Sequence, residues 1–301
     1  METIVVGSFT PSVLLDVARS TGVLAAHGLE VREVPVPSSP AQFRSLLDGE
    51  IDVALTSPDN VLAYRFSPAN PLGELLDARI LGAVDRGLGL GLYAGPGRSP
   101  TDLRGARLGV DVPTSGFALA MYALGDALGV PREDYELVAL GSTPKRLAAL
   151  LAQECDATML NAGNELAAEA AGCVRLAAVS EVCGPYLGTV VAVVGDRHQP
   201  AGHRLAAALT ATAAAVLDGD LTVETTEAAA RRLDLDGTLA ARYVERLRDP
   251  AEGLVRDGEV DAASLATLVR LRTTYLPVPD GDGGDVLDAA LREGSGLVRR
   301  D

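Results

Sequence analysis

One unit is spelled twice in this chain at a fixed spacing. Ser39-Pro40 leads through an apolar stretch ending in Leu46-Leu47 to Asp52 and on to Asn60, and Thr143-Pro144 leads through Leu150-Leu151 to Asp156 and on to Asn164. The hydroxyl residues lie 104 residues apart (143 − 39), as do the aspartates (156 − 52), so no insertion or deletion separates the copies. Each copy reads as a helix cap, a proline in the first turn, a helix, a turn, a short strand and a polar loop. A repeat this long is a whole supersecondary block. Two such blocks predict two similar α/β lobes facing each other across a cleft sized for a small molecule.

The same order of elements surrounds both copies. Residues 3–7 read as a strand, Ser8-Phe9-Thr10-Pro11 as a polar turn, and Val13, Leu14, Val17, Val23 and Leu24 recur with helical spacing. Residues 107–110, 111–116 and 117–128 repeat that strand, turn and helix. Further strands are predicted over 30–36 and 135–140. The resulting strand, helix, strand, helix, strand, helix order predicts a parallel sheet covered by helices in each lobe. Between the copies, 79–85 and 88–94 read as strands, and the Gly- and Pro-rich residues 95–100 as the crossing between lobes. Residues 187–195 are β-rich and return the chain to the first lobe. Helices are predicted over 201–218, 225–233, 238–247 and 262–275, packed outside the first lobe. The expected division is residues 1–94 plus 189–301 for the first lobe and 95–188 for the second. The stretch 277–285, rich in Asp, Gly and Pro, is expected to be loose or draped on the surface.

Composition narrows the function classes. A net charge of −15 over 301 residues, with no basic stripe, sets aside nucleic acid and anionic membrane as partners. Aromatic residues are 4% of the chain and Trp is absent, which argues against a sugar or base held between large rings. Cys155, Cys173 and Cys183 sit in or beside apolar runs and read as buried free thiols. The most apolar long run, 205–217, is shorter than the roughly 20 residues that span a bilayer, so no transmembrane helix is expected. Neither a charged leader nor an apolar core precedes the first strand. The chain as given is therefore expected in the cytoplasm, or in the periplasm or outside the cell if a signal segment has been removed.

Two runs of residues carry a family resemblance. The first is Leu47-Asp48-Gly49-Glu50-Ile51-Asp52-Val53-Ala54 with Thr56-Ser57-Pro58-Asp59-Asn60, and the second is Asp102-Leu103-Arg104-Gly105-Ala106-Arg107-Leu108-Gly109-Val110 with Thr114-Ser115-Gly116. Together they resemble the type II periplasmic-binding-protein fold, in particular the substrate-binding proteins of ABC importers for sulfonates, nitrate-like anions and thiamine-pathway pyrimidines. The resemblance covers residues 3–275. It implies a two-lobed fold with a central ligand cleft, a small-molecule ligand and an ABC permease as partner. The same fold also carries cytoplasmic enzymes such as chorismate dehydratases, desulfinases and pyrimidine-forming thiamine proteins, so fold leaves binding and catalysis both open. The chain departs from these relatives in three respects. Exported members begin with a signal or lipoprotein segment, which is not seen here. The turn after the first strand holds Ser8, Phe9 and Thr10 where a desulfinase-like protein carries a nucleophilic Cys, and no Cys-rich iron motif is present.

In open α/β lobes, ligands sit beyond the carboxyl ends of the strands, where helix N-termini present free N–H groups. That rule nominates Ser8, Phe9, Thr10, Ser38, Ser39, Thr56, Ser57, Asp59 and Asn60 from the first lobe. From the second it nominates Thr114, Ser115, Gly116, Ser142, Thr143, Asn161, Asn164 and Glu165. Most are also ordinary helix-capping residues, so their convergence from two lobes carries more weight than any member. Helix N-termini favour a carboxylate, sulfonate or phosphate, whereas Asp59, Asp111 and Glu165 favour an amine or ring N–H; a zwitterionic or polar heterocyclic ligand satisfies both. Lys145, the only lysine among 26 basic residues, stands in the first turn after Pro144 and is a candidate to neutralise an anion or act as a base. Arg86 is a second candidate cation. Tyr186, in Cys183-Gly184-Pro185-Tyr186, approaches the hinge.

No recognised catalytic motif is present, and Gly87–Gly91 joins two strands without the helix a dinucleotide site requires. His27, His198 and His203 fall outside the predicted cleft and are too scattered for a metal site, so neither a metal nor a cofactor is expected. Two functions fit. One is solute binding, as in an ABC importer or a cytoplasmic protein derived from one. The other is a cytoplasmic lyase, decarboxylase or isomerase in which Asp59, Asp111, Lys145 or Glu165 moves the proton.

Overall fold

A computed structural model of the chain describes residues 1–277, 287–292 and 294–299; the stretch expected to be loose lies, from residue 278, outside the described residues. The first lobe opens with β1 (Glu2–Ser8), α1 (Val13–Ser20), α2 (Val23–Ala26), β2 (Leu29–Pro35), α3 (Ser39–Asp48), β3 (Val53–Thr56), α4 (Pro58–Phe66) and β4 (Ala78–Asp85). Then come β5 (Gly91–Ala94), β6 (Arg107–Val110), α5 (Gly116–Ala127), β7 (Glu136–Ala139), α6 (Thr143–Leu151), β8 (Ala157–Leu160), α7 (Asn164–Ala170), β9 (Val174–Ala178) and α8 (Val179–Val182). The chain ends with β10 (Thr189–Val194), α9 (Gln199–Asp218), α10 (Thr222–Leu233), α11 (Gly237–Arg248) and α12 (Ala262–Tyr275).

The repeated unit folds the same way in both copies. In the first, the Ser38 hydroxyl accepts from the Ala41 amide, Pro40 occupies the first turn of α3, and Gly49 ends the helix at φ 73°, where a side chain would be strained. Helices α3 and α6 begin 104 residues apart (143 − 39), as do strands β3 and β8 (157 − 53). The aspartates do one job in both copies. Asp52 accepts from the Val5 amide at 2.8 Å and returns its own amide to the Val5 carbonyl at 2.8 Å; Asp156 does the same with Arg107, again at 2.8 Å each way. Each aspartate therefore ties the strand after the repeated helix to the first strand of its repeated block, β1 or β6.

Two five-stranded sheets result, in the orders β2-β1-β3-β10-β4 and β7-β6-β8-β5-β9. Their first three strands are parallel, as the element order requires, but β10 runs antiparallel to β3 and β4, and β5 runs antiparallel to β8 and β9. An all-parallel sheet would need a crossover connection for every strand. Here the fourth strand of each sheet comes directly from the other lobe and enters the opposite way. This also corrects the expected boundary at residue 95. β5 belongs to the second sheet, so the chain crosses at residues 86–90 and returns just before β10.

The C-terminal helices are not confined to the outside of the first lobe. Helices α9 and α10 pack on α1, but α11 also meets α7, and α12 lies against both α4 and α5. One apolar cluster accordingly runs through both lobes, joining Phe43, Val61 and Ile80 to Leu108, Leu119 and Tyr122 through Leu268 of α12. A second packs Ile4, Val6 and Leu15 against Leu205, Leu209 and Val216 of α9. All three cysteines are buried and free. Among the described residues no single helix is long and apolar enough to cross a membrane; α9 and α10 pass that test only as a pair bent by 112°.

Asp52→Ala is expected to lower the unfolding free energy by about 1–2 kcal/mol, because the Val5 N–H loses its acceptor, while Asp52→Asn, which keeps a carbonyl oxygen there, costs less. Urea denaturation checks the order. Equal losses in the two variants would show that this hydrogen bond is not what the residue supplies.

Candidate functional site

A cleft of about 970 Å³, mouth included, lies between the lobes at the carboxyl ends of the sheets. The starts of α1, α4, α5 and α6 converge on it, and their capping residues Ser12, Ser57, Ser115 and Ser142 all line it. Each start presents the positive end of a helix dipole, although in α4 the first residue is Pro58 and Ser57 takes the Asp59 and Asn60 amides. Val84, Leu88, Leu247 and Leu254 add apolar wall, and Phe9 and Phe117 come from opposite lobes.

The cleft brings together most of the nominated residues. Ser8, Phe9, Thr10, Thr56, Ser57 and Asn60 line it from the first lobe; Asp111, Ser115, Gly116, Ser142, Thr143 and Asn161 line it from the second. Several are already engaged. Ser8 donates to Glu33 at 2.6 Å, Asn60 donates to Thr56 at 3.0 Å, Ser115 donates to Asp111, and Asn161 donates across the hinge to the Gly87 carbonyl at 3.1 Å.

Other nominated residues lie elsewhere, each for a local reason. Asp59 turns away into a buried bidentate pair with Arg272, at 2.9 and 2.5 Å, and Arg272 also donates to the Thr114 carbonyl at 3.2 Å. Ser39 and Thr114 border an adjoining recess of about 810 Å³ instead. Ser38 is the cap of α3 and does not reach the cleft. Asn164 bonds back to the Asn161 carbonyl at 2.9 Å, and Tyr186 is buried in the apolar cluster shared by the lobes. Lys145 is exposed, and Arg86 lies 3.5 Å from Asp261, outside the cleft. Glu165 is fully buried behind the hinge, accepting from the Gly163 amide at 2.7 Å with Arg246 Nε 3.8 Å away; burial pushes its carboxyl up to about 7 against the pull of Arg246. Of the four groups expected to move a proton in an enzyme, Asp111 alone lines the cleft.

Two functional candidates escape the sequence reading. Among the described residues Arg146, not Lys145, is the cation that lines the cleft. It is 2% exposed and donates to the carbonyls of Gly141 (2.5 Å) and Met159 (3.3 Å) and to the Thr143 hydroxyl (3.0 Å). The repeat contains the signal: Arg146 stands 104 residues after Gln42 (146 − 42), which is also buried and donates to the equivalent carbonyl, Leu55, 104 residues before Met159. Helical phase agrees, since Thr143, Arg146 and Ala149 share the buried face of α6 and Lys145 points outward. The second is Asp85, the last residue of β4. It is 3% exposed, accepts from the Gly87 amide at 2.8 Å, and is pushed up to about 6 by burial, against the Thr189 hydroxyl and the Gly87 amide. Its place at the carboxyl end of a strand is the signal that would have nominated it.

No protein-family model and no curated protein sequence matches the chain. Solved structures do. The alkanesulfonate-binding protein of Xanthomonas axonopodis pv. citri, bound to MOPS, superposes with a TM-score of 0.75 at 18% identity, covering 99% of this chain and 98% of that one. A Candida albicans protein described as having the generic periplasmic-binding-protein fold gives 0.73 at 17%, covering 99% and 96%. The fold is that of the type II periplasmic binding proteins. The nitrate-binding protein of Synechocystis PCC 6803 shares this fold too, with a TM-score of 0.72 at 13% identity over 95% and 85% of the two chains. At these identities the likeness is one of architecture.

Burial raises Glu165 from 4.5 to about 7 and Asp85 from 3.8 to about 6, so the folded chain holds protons that the unfolded chain releases. Their contribution to stability is greatest below the unfolded values and falls as pH rises through the folded ones. The melting temperature is therefore expected to be lower at about pH 8 than at about pH 5, and Glu165→Gln, which keeps an acceptor for Gly163, should shrink that difference. Thermal melts of both proteins at the two pH values provide the check; an unchanged slope in the variant would remove Glu165 as its source.

Proposed function

We propose that this protein is a solute-binding protein whose cleft closes on one small organic anion, in the manner of the ligand-carrying component of an ABC importer. The observation that carries this reading is Arg146. A guanidinium stays charged at any physiological pH, and a buried charge is stable only when matched. Arg146 has carbonyl and hydroxyl acceptors but no carboxylate within ion-pair distance among the described residues, and it faces a cleft rimmed by four helix N-termini. An anionic guest supplies the missing charge. Two structural neighbours are named for anions, an alkanesulfonate in one and nitrate in the other, which supports the same reading. An ABC permease is the partner that such a role implies.

Arg146→Gln tests the proposal with little disturbance, because Gln42 already fills the equivalent place in the first lobe. The wild-type protein, titrated calorimetrically with short-chain carboxylates and sulfonates, is expected to bind at least one of them. The variant should fold and bind that anion about 10- to 100-fold more weakly, the loss expected when one charged hydrogen-bond partner is removed. Undiminished binding by Arg146→Gln, or conversion of the bound acid to a product by the wild-type protein, would overturn it.

A further inference from the structure

Charge pairing across the interior singles out two residues. The buried carboxylates among the described residues are Asp59, Asp85, Glu165 and Glu252, and the buried arginines are Arg79, Arg146 and Arg272. Asp59 and Arg272 hold each other. Glu252 has Arg175 at 3.2 Å and Arg246 at 2.7 Å; Glu165 has Arg246 at 3.8 Å; Arg79 has Asp77 and Asp196. Only Asp85 and Arg146 lack an oppositely charged partner within 4.0 Å among the described residues, and both line the same cleft. They are not each other's partners at that distance.

Asp85 also differs from the acidic residues that cap helices. It ends a strand, and its surroundings are built close around it: a methyl group on Gly188 would lie 2.5 Å from its Oδ1, and Val84, Leu88, Tyr243 and Leu254 line the same cleft. Its donors, the Gly87 amide and Thr189, are neutral. An isolated buried carboxylate is unfavourable unless a cation meets it. From the pairing of Arg146 with an acid group, on which this step rests, we infer that the ligand is dipolar: an organic acid that also carries a protonated amine, with the acid at Arg146 and the ammonium at Asp85. Asn161, which also lines the cleft, is tied to the Asp85 end: its Nδ2 holds the Gly87 carbonyl while the Gly87 amide holds Asp85. Asp111, which is less buried and accepts from Ser115, stays on the Arg146 side, where it opposes a second negative charge on the ligand.

The test is isothermal titration of the full chain with short-chain ω-amino carboxylates and ω-amino sulfonates, each beside the same skeleton without its amine. The wild-type protein is expected to prefer the best-bound amino acid over its amine-free partner by about tenfold or more, the scale of one charged hydrogen bond. In Asp85→Asn the preference should vanish, with the amino compound falling to the affinity of its amine-free partner. Equal or tighter binding of amine-free acids by the wild-type protein would overturn the dipolar assignment and leave the anion-binding reading intact. Persistence of the preference in Asp85→Asn would overturn the role of Asp85. Failure of the wild-type protein to bind any of these acids would overturn both. The wild-type comparison needs no mutation, so a poorly folding variant cannot rescue the idea.

Discussion

The buried pair between Asp59 and Arg272 sets where the two lobes meet. Asp59 stands in the first turn of α4, Arg272 near the end of α12, and the Thr114 carbonyl that Arg272 also reaches belongs to the second lobe. Taking two charges out of water is unfavourable unless the geometry is good, and here the pair is bidentate and Nη2 also donates to the Thr114 carbonyl. The backbone next to it conforms to the pair: a Cβ on Gly116 would come within 2.6 Å of the Asp59 side chain, so the start of α5 can approach α4 only as glycine. With that contact made, four helix starts face a single hollow.

Duplication explains why the lobes match and also where they differ. Asp52 and Asp156 repeat because both lobes need the same tie between their strands. Gln42 and Arg146 occupy matching places and reach matching carbonyls, yet one is neutral and the other charged. The scaffold tolerates either, since both side chains donate to backbone oxygens at the end of a strand. Among the described residues, the second lobe alone brings a buried cation to the cleft.

Much of the architecture was legible in residue order. Fixed spacing, capping residues and helical phase located both copies, and the rule that ligands gather at the carboxyl ends of strands named most of the cleft-lining hydroxyl and amide groups. Local sequence signals are silent where partners come from far away in the chain. Nothing near Asp59 indicates that Arg272, 213 positions later, has claimed its carboxylate. Lys145 drew attention by its rarity, but helical phase turns it to solvent and its neighbour inward.

The sequence by itself determined the two-lobed plan, because local signals such as hydroxyl residues at helix starts, first-turn prolines and apolar periodicity act over a few residues and repeat with the unit. Tertiary structure alone decided which charged groups remain unsatisfied. Whether a buried carboxylate or guanidinium is matched depends on groups brought within a few ångströms from distant segments, because the attraction grows as the charges approach and only direct contact adds charge-assisted hydrogen bonds. Among the described residues, Asp85 and Arg146 stand out as buried charges without an oppositely charged neighbour within 4.0 Å only once the pairs of the other buried charges are known.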